Sequence, residues 1–128
     1  MKRLFLVLTG LFAVTAVALG AFAAHGLKDL LTPALLSAFQ TGVHYHLLHA
    51  LALGLVALAL TVFAQQPQPV RWLCLSGWLF IAGILLFSGS LYGLSLTGFG
   101  WLGPITPLGG LSFLLGWICF MIAAFKTK

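Results

Sequence analysis

Four apolar segments account for most of the chain, at about 4–24, 41–64, 71–93 and 105–125. A helix needs about 20 apolar residues to cross the roughly 30 Å hydrocarbon core of a bilayer. The chain has 128 residues, of which 62% are hydrophobic and 5% charged. A soluble globule of this size has no room to bury all four segments. The sequence therefore predicts an all-α, polytopic membrane protein with four transmembrane helices in one membrane domain, residues 1–128.

A shorter apolar segment lies between the first two crossings, at about 30–40. Thr32 can cap a helix, and Pro33 suits the first helical position. Apolar side chains then recur at helical spacing, at Leu31, Leu35, Leu36 and Phe39. Because this segment is too short to span a bilayer, we predict a separate short helix lying at the membrane interface.

The basic residues are distributed unequally between the two ends of the crossings. Four crossings place both termini on one side, which carries five of the six basic residues: Lys2, Arg3, Arg71, Lys126 and Lys128. Lys28, followed by Asp29, is the only basic residue on the other side. Basic residues near segment ends stay in the cytoplasm, so both termini are predicted to be cytoplasmic. Their scattered positions indicate contact with lipid head groups and not with nucleic acid.

Most residues able to do chemistry lie at the opposite, outward end of the crossings. These include all four histidines: His25, His44, His46 and His49. Ser88 and Tyr92 fall at the same end of the third crossing. The clustering predicts an outward-facing polar pocket around His25, His49, Ser88 and Tyr92.

The histidines raise the question of a metal or haem site. On a helix that turns about 100° per residue, His46 and His49 are about 60° apart, whereas His44 lies about 160° from His46. One helical face therefore offers two ligands at most, and His25 would have to supply a third. Imidazole suits zinc, copper and haem iron. Hydrogen bonding to loops and lipids accounts for the same residues, so both interpretations stay open.

Nothing in the sequence indicates a particular enzyme. Asp29 is the only carboxylate side chain, and no Gly-rich phosphate loop, G-x-S-x-G or H-E-x-x-H motif is present. Cys74 and Cys119 lie in apolar segments without C-x-x-C spacing, which predicts buried free thiols.

Small residues recur at four-residue spacing, which lets helix backbones approach closely. The pairs are Gly89 with Gly93, Ala16 with Gly20, and Ala50 with Gly54. They predict helix packing within the bundle, or contact with a membrane-protein partner or a second copy of the chain.

Four stretches together resemble the DUF423 family of small bacterial inner-membrane proteins, which is related to eukaryotic transmembrane protein 256. They are Gly20–Lys28, Thr41–Tyr45 with His49 and Ala50, Phe87–Tyr92, and Thr106–Gly110 with Gly116 and Trp117. The resemblance covers nearly the whole chain and implies a multi-pass protein of the inner membrane. It implies no established activity.

The resemblance also extends the predicted polar pocket. Residues that match the family pattern are His25, Lys28, Tyr45, His49, Ser88, Ser90, Tyr92, Thr106 and Pro107. His46 departs from that pattern, because glutamine is common at its position. A metal site built on His25 and His49 is therefore favoured over one that uses His46.

Three functions remain open from the sequence. The first is a structural, accessory or ligand-binding membrane component that uses the outward polar pocket. The second is a redox protein with a histidine-ligated metal, haem or quinone. The third is a small transporter or lipid-handling protein, for which the inner half of the crossings offers few polar residues.

Overall fold

The computed structural model describes all 128 residues and contains four long helices. Helix α1 is α-helical over Lys2–Phe22 and continues as a π-helical turn over Ala23–Leu27. Helix α2 extends over Pro33–Val62 without a break. Each of the four is long and apolar enough to cross a membrane. The predicted fold class, an all-helical membrane protein, is confirmed.

The second half of the chain contains the other two long helices. Helix α3 spans Pro67–Thr97, and its α-helical parts flank a π-helical turn at Ile84–Ser88. Gly98 ends α3 in the left-handed conformation, with φ 72°, which a residue without a Cβ adopts at little cost. A 3₁₀ turn at Gly100–Leu102 precedes α4, Ile105–Phe125.

The prediction of a separate interfacial helix at 30–40 is wrong. Pro33 does begin a helix, and the Thr32 hydroxyl accepts a hydrogen bond from the Leu35 amide at 3.4 Å. That helix does not end near Gln40, because no proline or left-handed glycine follows, and Gly42 is accommodated inside it. Residues 33–40 are therefore the first turns of α2. The membrane limits of all four crossings remain predictions.

The four helices pack in chain order. Helix α1 packs against α2, α2 against α3, and α3 against α4, whereas α1 and α4 make no comparable contact with each other. The main core lies between α2 and its neighbours and includes Phe5, Leu53, Val56, Phe80 and Phe113. Large apolar side chains on the remaining faces are exposed, as a bilayer-facing surface requires.

Small residues form the contact between α1 and α2. Ala16 and Ala50 are completely buried. A Cβ atom at Gly20 would lie 3.3 Å from a Val43 methyl group, and one at Gly54 would lie 3.1 Å from a Thr9 methyl group. The two helices are therefore close enough that larger side chains at these positions would push them apart.

Gly89 and Gly93 do not form a helix contact as a pair. A Cβ atom at Gly93 would lie 2.8 Å from Leu102, just beyond the end of α3. Gly89 is exposed, and nothing lies within 4 Å of a Cβ atom built there. Within the chain, Gly89 is therefore not a packing residue.

Candidate functional site

Hydroxyl groups in the C-terminal half of α3 bind it to α2. Ser88 Oγ donates a hydrogen bond to the Gly42 carbonyl oxygen at 2.8 Å, and Ser95 Oγ donates to the Leu35 carbonyl oxygen at 3.0 Å. Both serines are buried. Ser88, predicted as part of the polar pocket, thus holds two helices together and is not available to a ligand.

A further pair of hydroxyl groups joins α3 to α4. The Ser90 hydroxyl donates its only proton to the Phe87 carbonyl oxygen, at 2.9 Å. The 2.7 Å contact between Ser90 and Thr106 must then be donated by Thr106. These two predicted pocket residues are therefore also engaged with each other.

His46 links three helices at once. Its Nδ1 lies 3.0 Å from the Tyr92 hydroxyl on α3, and its Nε2 lies 3.4 Å from Thr15 Oγ1 on α1. The Thr15 hydroxyl already donates to carbonyl oxygens of its own helix at 2.9 and 3.0 Å. Nε2 must then carry the proton that Thr15 accepts, and Nδ1 accepts from Tyr92.

His49 carries its proton on the other nitrogen. Its Nδ1 lies 2.8 Å from the Tyr45 carbonyl oxygen, which can only accept. Trp117 Nε1, which can only donate, lies 3.2 Å from His49 Nε2. Both ring nitrogens are therefore satisfied in one neutral tautomer, and the side chain is 2% exposed.

A groove lined by aromatic rings lies over His49, between α2 and α4. We call it the aromatic groove and define it by Tyr45, His49, Phe87, Phe113 and Trp117. Its cavity volume is about 520 Å³. The His49 and Phe113 rings stack with centroids 3.5 Å apart and an interplanar angle of 10°. Tyr45 lies nearly parallel to both, at 12° to His49 and 22° to Phe113.

The backbone around Phe87 depends on a glycine in α4. A Cβ atom at Gly109 would overlap the Phe87 backbone nitrogen. Phe87 lies in the π-helical turn of α3, whose extra residue per turn bulges toward α4. Only glycine allows this approach, which fixes one wall of the aromatic groove.

The predicted metal ligands do not come together. His25 and Lys28 are exposed at the C-terminal end of α1. No group of three His, Cys, Asp or Glu side chains is placed to hold a metal ion. Because both ring nitrogens of His46 and of His49 already have hydrogen-bond partners, neither histidine offers a free lone pair to a metal ion. The ligand set of His25, His49 and His46 is therefore not assembled.

Sequence reasoning missed Thr15, Phe113 and Trp117 as site residues. Trp117 carried a usable signal, because it lies inside an apolar segment while tryptophans of membrane proteins concentrate at the interfaces. Thr15 and Phe113 carried none. Their roles depend on how α1 and α4 are placed against α2, which the sequence pattern does not specify.

The comparisons with known proteins agree with this architecture. The family model described as "Protein of unknown function (DUF423)" matches residues 19–110, most of the chain. The chain belongs to the DUF423 family. Tyr45, His49, the π-helical turn of α3 and the start of α4 therefore all lie within the family match.

Relatives of this DUF423 protein are bacterial membrane proteins. It is 45% identical to UPF0382 membrane protein YwdK of Bacillus subtilis over 97% of this chain and 98% of the relative. It is 43% identical to UPF0382 membrane protein SAB0533 of Staphylococcus aureus over 97% of each chain. It is 44% identical to a UPF0382 membrane protein of Haemophilus influenzae over 100% of this chain and 98% of the relative. No solved structure matches the chain. The family thus identifies a membrane protein of unestablished activity.

Proposed function

We propose that this DUF423 protein is a ligand-binding component of the bacterial cytoplasmic membrane. The ligand would be a flat, ring-bearing apolar molecule that enters the aromatic groove from the bilayer. The observation that carries this proposal is the set of nearly parallel Tyr45, His49 and Phe113 rings in an open groove. Aromatic faces arranged in this way favour offset stacking with another ring.

The groove has the size and chemistry of a small-molecule site. Its volume of about 520 Å³ falls within the roughly 300–1,000 Å³ of typical ligand pockets, which are mostly apolar with few polar groups. Tyr45 is 39% exposed, and its carbonyl, not its hydroxyl, is the group that binds His49. The hydroxyl is therefore free to hydrogen-bond to a carbonyl or hydroxyl group of a ligand.

The inner half of the molecule favours binding over transport. Thr9 and Thr61 donate their hydroxyl protons to carbonyl oxygens of their own helices, at 2.8 and 3.2 Å. Ser76 Oγ is the one buried side-chain polar atom without a hydrogen bond. These isolated groups offer no continuous polar route from the aromatic groove to the other membrane face.

The proposal includes an orientation in the membrane. Five basic residues at the termini and the α2–α3 loop, against Lys28 alone at the other end, favour cytoplasmic termini. The aromatic groove then opens into the outer half of the cytoplasmic membrane. A ligand would reach it by diffusing within that leaflet.

Tryptophan fluorescence tests whether the groove binds a ring. A variant that retains only Trp117 is made by changing Trp72, Trp78 and Trp101 to phenylalanine. In reconstituted vesicles it is titrated with a decyl-substituted benzoquinone, whose ring quenches tryptophan on contact. We expect saturable quenching of Trp117, and a several-fold weaker apparent affinity after Tyr45→Ala removes one stacking face.

The matched control retains only Trp78, which is 47% exposed and lies on α3 outside the groove. Its quenching should rise linearly with the amount of probe in the bilayer. Equal, unsaturable quenching of both tryptophans would contradict the proposal.

A further inference from the structure

A second groove lies between the outward ends of α1 and α2 and is separate from the ring-binding site proposed above. We call it the α1–α2 groove and define it by Gly20, Ala23, Gln40, His44 and Leu51. Its cavity volume is about 450 Å³. It exists because α1 presents only a glycine and an alanine there, while α2 presents long side chains.

The groove changes from polar to apolar along its length. Gln40 and His44 lie four residues apart on one face of α2, and both are exposed. Val43 lies between these two residues, and farther into the membrane the α2 wall consists of Leu47, Leu48 and Leu51. A ligand that fills the groove must therefore have a polar end that accepts hydrogen bonds and a long apolar end.

The length of the groove matches one leaflet. Gln40 and Leu51 are eleven residues apart, which corresponds to about 16 Å along a helix. Half of a roughly 30 Å hydrocarbon core is about 15 Å. An acyl chain whose ester group lies near Gln40 would thus reach the middle of the bilayer at Leu51.

The register of the two helices places a positive charge beyond the polar end. Thr9 faces Gly54 and Gly20 faces Val43, so eleven residues forward on α1 correspond to eleven residues back on α2. Continued outward, this antiparallel register brings Lys28 level with the turn of α2 about five residues before Gln40, or about 7 Å farther out. In a phospholipid the phosphate lies outside the ester groups, so Lys28 lies on the side of Gln40 where a phosphate would be, and a basic residue there attracts it.

We infer that the α1–α2 groove binds one glycerophospholipid. Gln40 and His44 donate hydrogen bonds to the ester oxygens, Lys28 attracts the phosphate, and one acyl chain lies over Gly20 and Ala23. Asp29, next to Lys28, disfavours additional negative charge. Zwitterionic phosphatidylethanolamine is therefore expected to bind at least as well as phosphatidylglycerol.

Native mass spectrometry of the purified full chain tests this inference. The protein is incubated in detergent with phosphatidylethanolamine, phosphatidylglycerol or diacylglycerol of the same acyl composition. We expect one retained phospholipid per chain and at least fivefold less retained diacylglycerol, which lacks the phosphate. The double substitution Gln40→Leu with His44→Leu should lower phospholipid retention at least fivefold.

The control is Thr41→Val, an exposed position at the same depth that does not line the groove. It should retain phospholipid as the unchanged protein does.

Equal retention by the double variant and the unchanged protein would overturn the inference, and so would equal retention of diacylglycerol and phospholipid. If the double variant fails to fold, the comparison of phospholipid with diacylglycerol on the unchanged protein still tests the inference. Loss of lipid binding here would leave Trp117 quenching intact, so the two proposals fail separately.

Discussion

At the residue scale, two histidines three positions apart carry their protons on different nitrogens. His46 donates from Nε2 and accepts at Nδ1, whereas His49 donates from Nδ1 and accepts at Nε2. Each assignment follows from a partner that can only donate or only accept, or whose proton is already used. In a variant whose exposed His25 and His44 are changed to glutamine, two-dimensional ¹⁵N NMR of histidine-labelled protein in micelles should show one ring in each tautomer. A single tautomer for both rings would contradict the hydrogen-bond scheme.

The Tyr92 hydroxyl should contribute measurably to stability, while the Tyr45 hydroxyl should not. Tyr92→Phe leaves His46 Nδ1 without its donor. Hydrogen bonds between membrane helices are worth about 0.6 kcal/mol on average and up to about 1.7. We expect unfolding in mixed detergent, followed by circular dichroism, to show a loss of about 1 kcal/mol for Tyr92→Phe. Tyr45→Phe should change the free energy of unfolding by less than about 0.5 kcal/mol. The reverse order would show that Tyr92 is not the donor to His46.

The sequence predicted part of this site. Helical spacing placed His46 and His49 on the same side of α2, and the clustering of polar residues marked Ser88 and Tyr92 as residues near them. It did not specify which partner each hydroxyl group would bind. Whether a hydroxyl faces a ligand or a carbonyl depends on the rotation of α3 against α2, and hydropathy leaves that rotation open.

At the scale of elements, the π-helical turn of α3 requires glycine at one position of α4. Gly109→Ala places a methyl group against the Phe87 backbone, which cannot move aside as a side chain can. Overpacking typically costs about 1–3 kcal/mol of stability. We expect this substitution to lower the free energy of unfolding by at least about 2 kcal/mol. Unfolding in mixed detergent measures it.

The adjacent glycine provides the control. A Cβ atom at Gly110 would lie 3.7 Å from the Phe87 ring, an ordinary contact. Gly110→Ala should therefore be neutral or stabilise the protein by up to about 1 kcal/mol through higher helix propensity. Equal effects of the two substitutions would mean that α4 does not approach the π-helical turn so closely.

Hydropathy was sufficient for the four helices but not for their irregularities. The apolar segments gave the number and approximate places of the long helices, because length and composition alone determine whether a helix can span. The predicted break between residues 40 and 41 was wrong, because a change in polarity does not stop a helix. The π-helical turns at Ala23–Leu27 and Ile84–Ser88 leave no mark in composition, so the wall of the aromatic groove was not predictable.

At the scale of the whole molecule, the charge distribution predicts which face is outward. In a background with Cys74 and Cys119 changed to alanine, Lys28→Cys should react with a membrane-impermeant maleimide added to intact cells. Gln68→Cys, in the α2–α3 loop, should react only after the membrane is opened. The opposite pattern would place both grooves in the cytoplasmic leaflet.

The molecule as a whole uses its buried polar groups to join helices and leaves an aromatic groove open to the bilayer. The most direct test is to purify the protein from its native membrane and to identify co-purified molecules by mass spectrometry. We predict about one ring-bearing apolar molecule per chain, and its loss in Gly110→Leu, which fills the groove. Gly89→Leu, an exposed position outside the aromatic groove, should retain it. The same amount of the ring-bearing molecule in the unchanged protein and both variants would contradict the proposed ligand-binding function. Its absence from all three would contradict it as well.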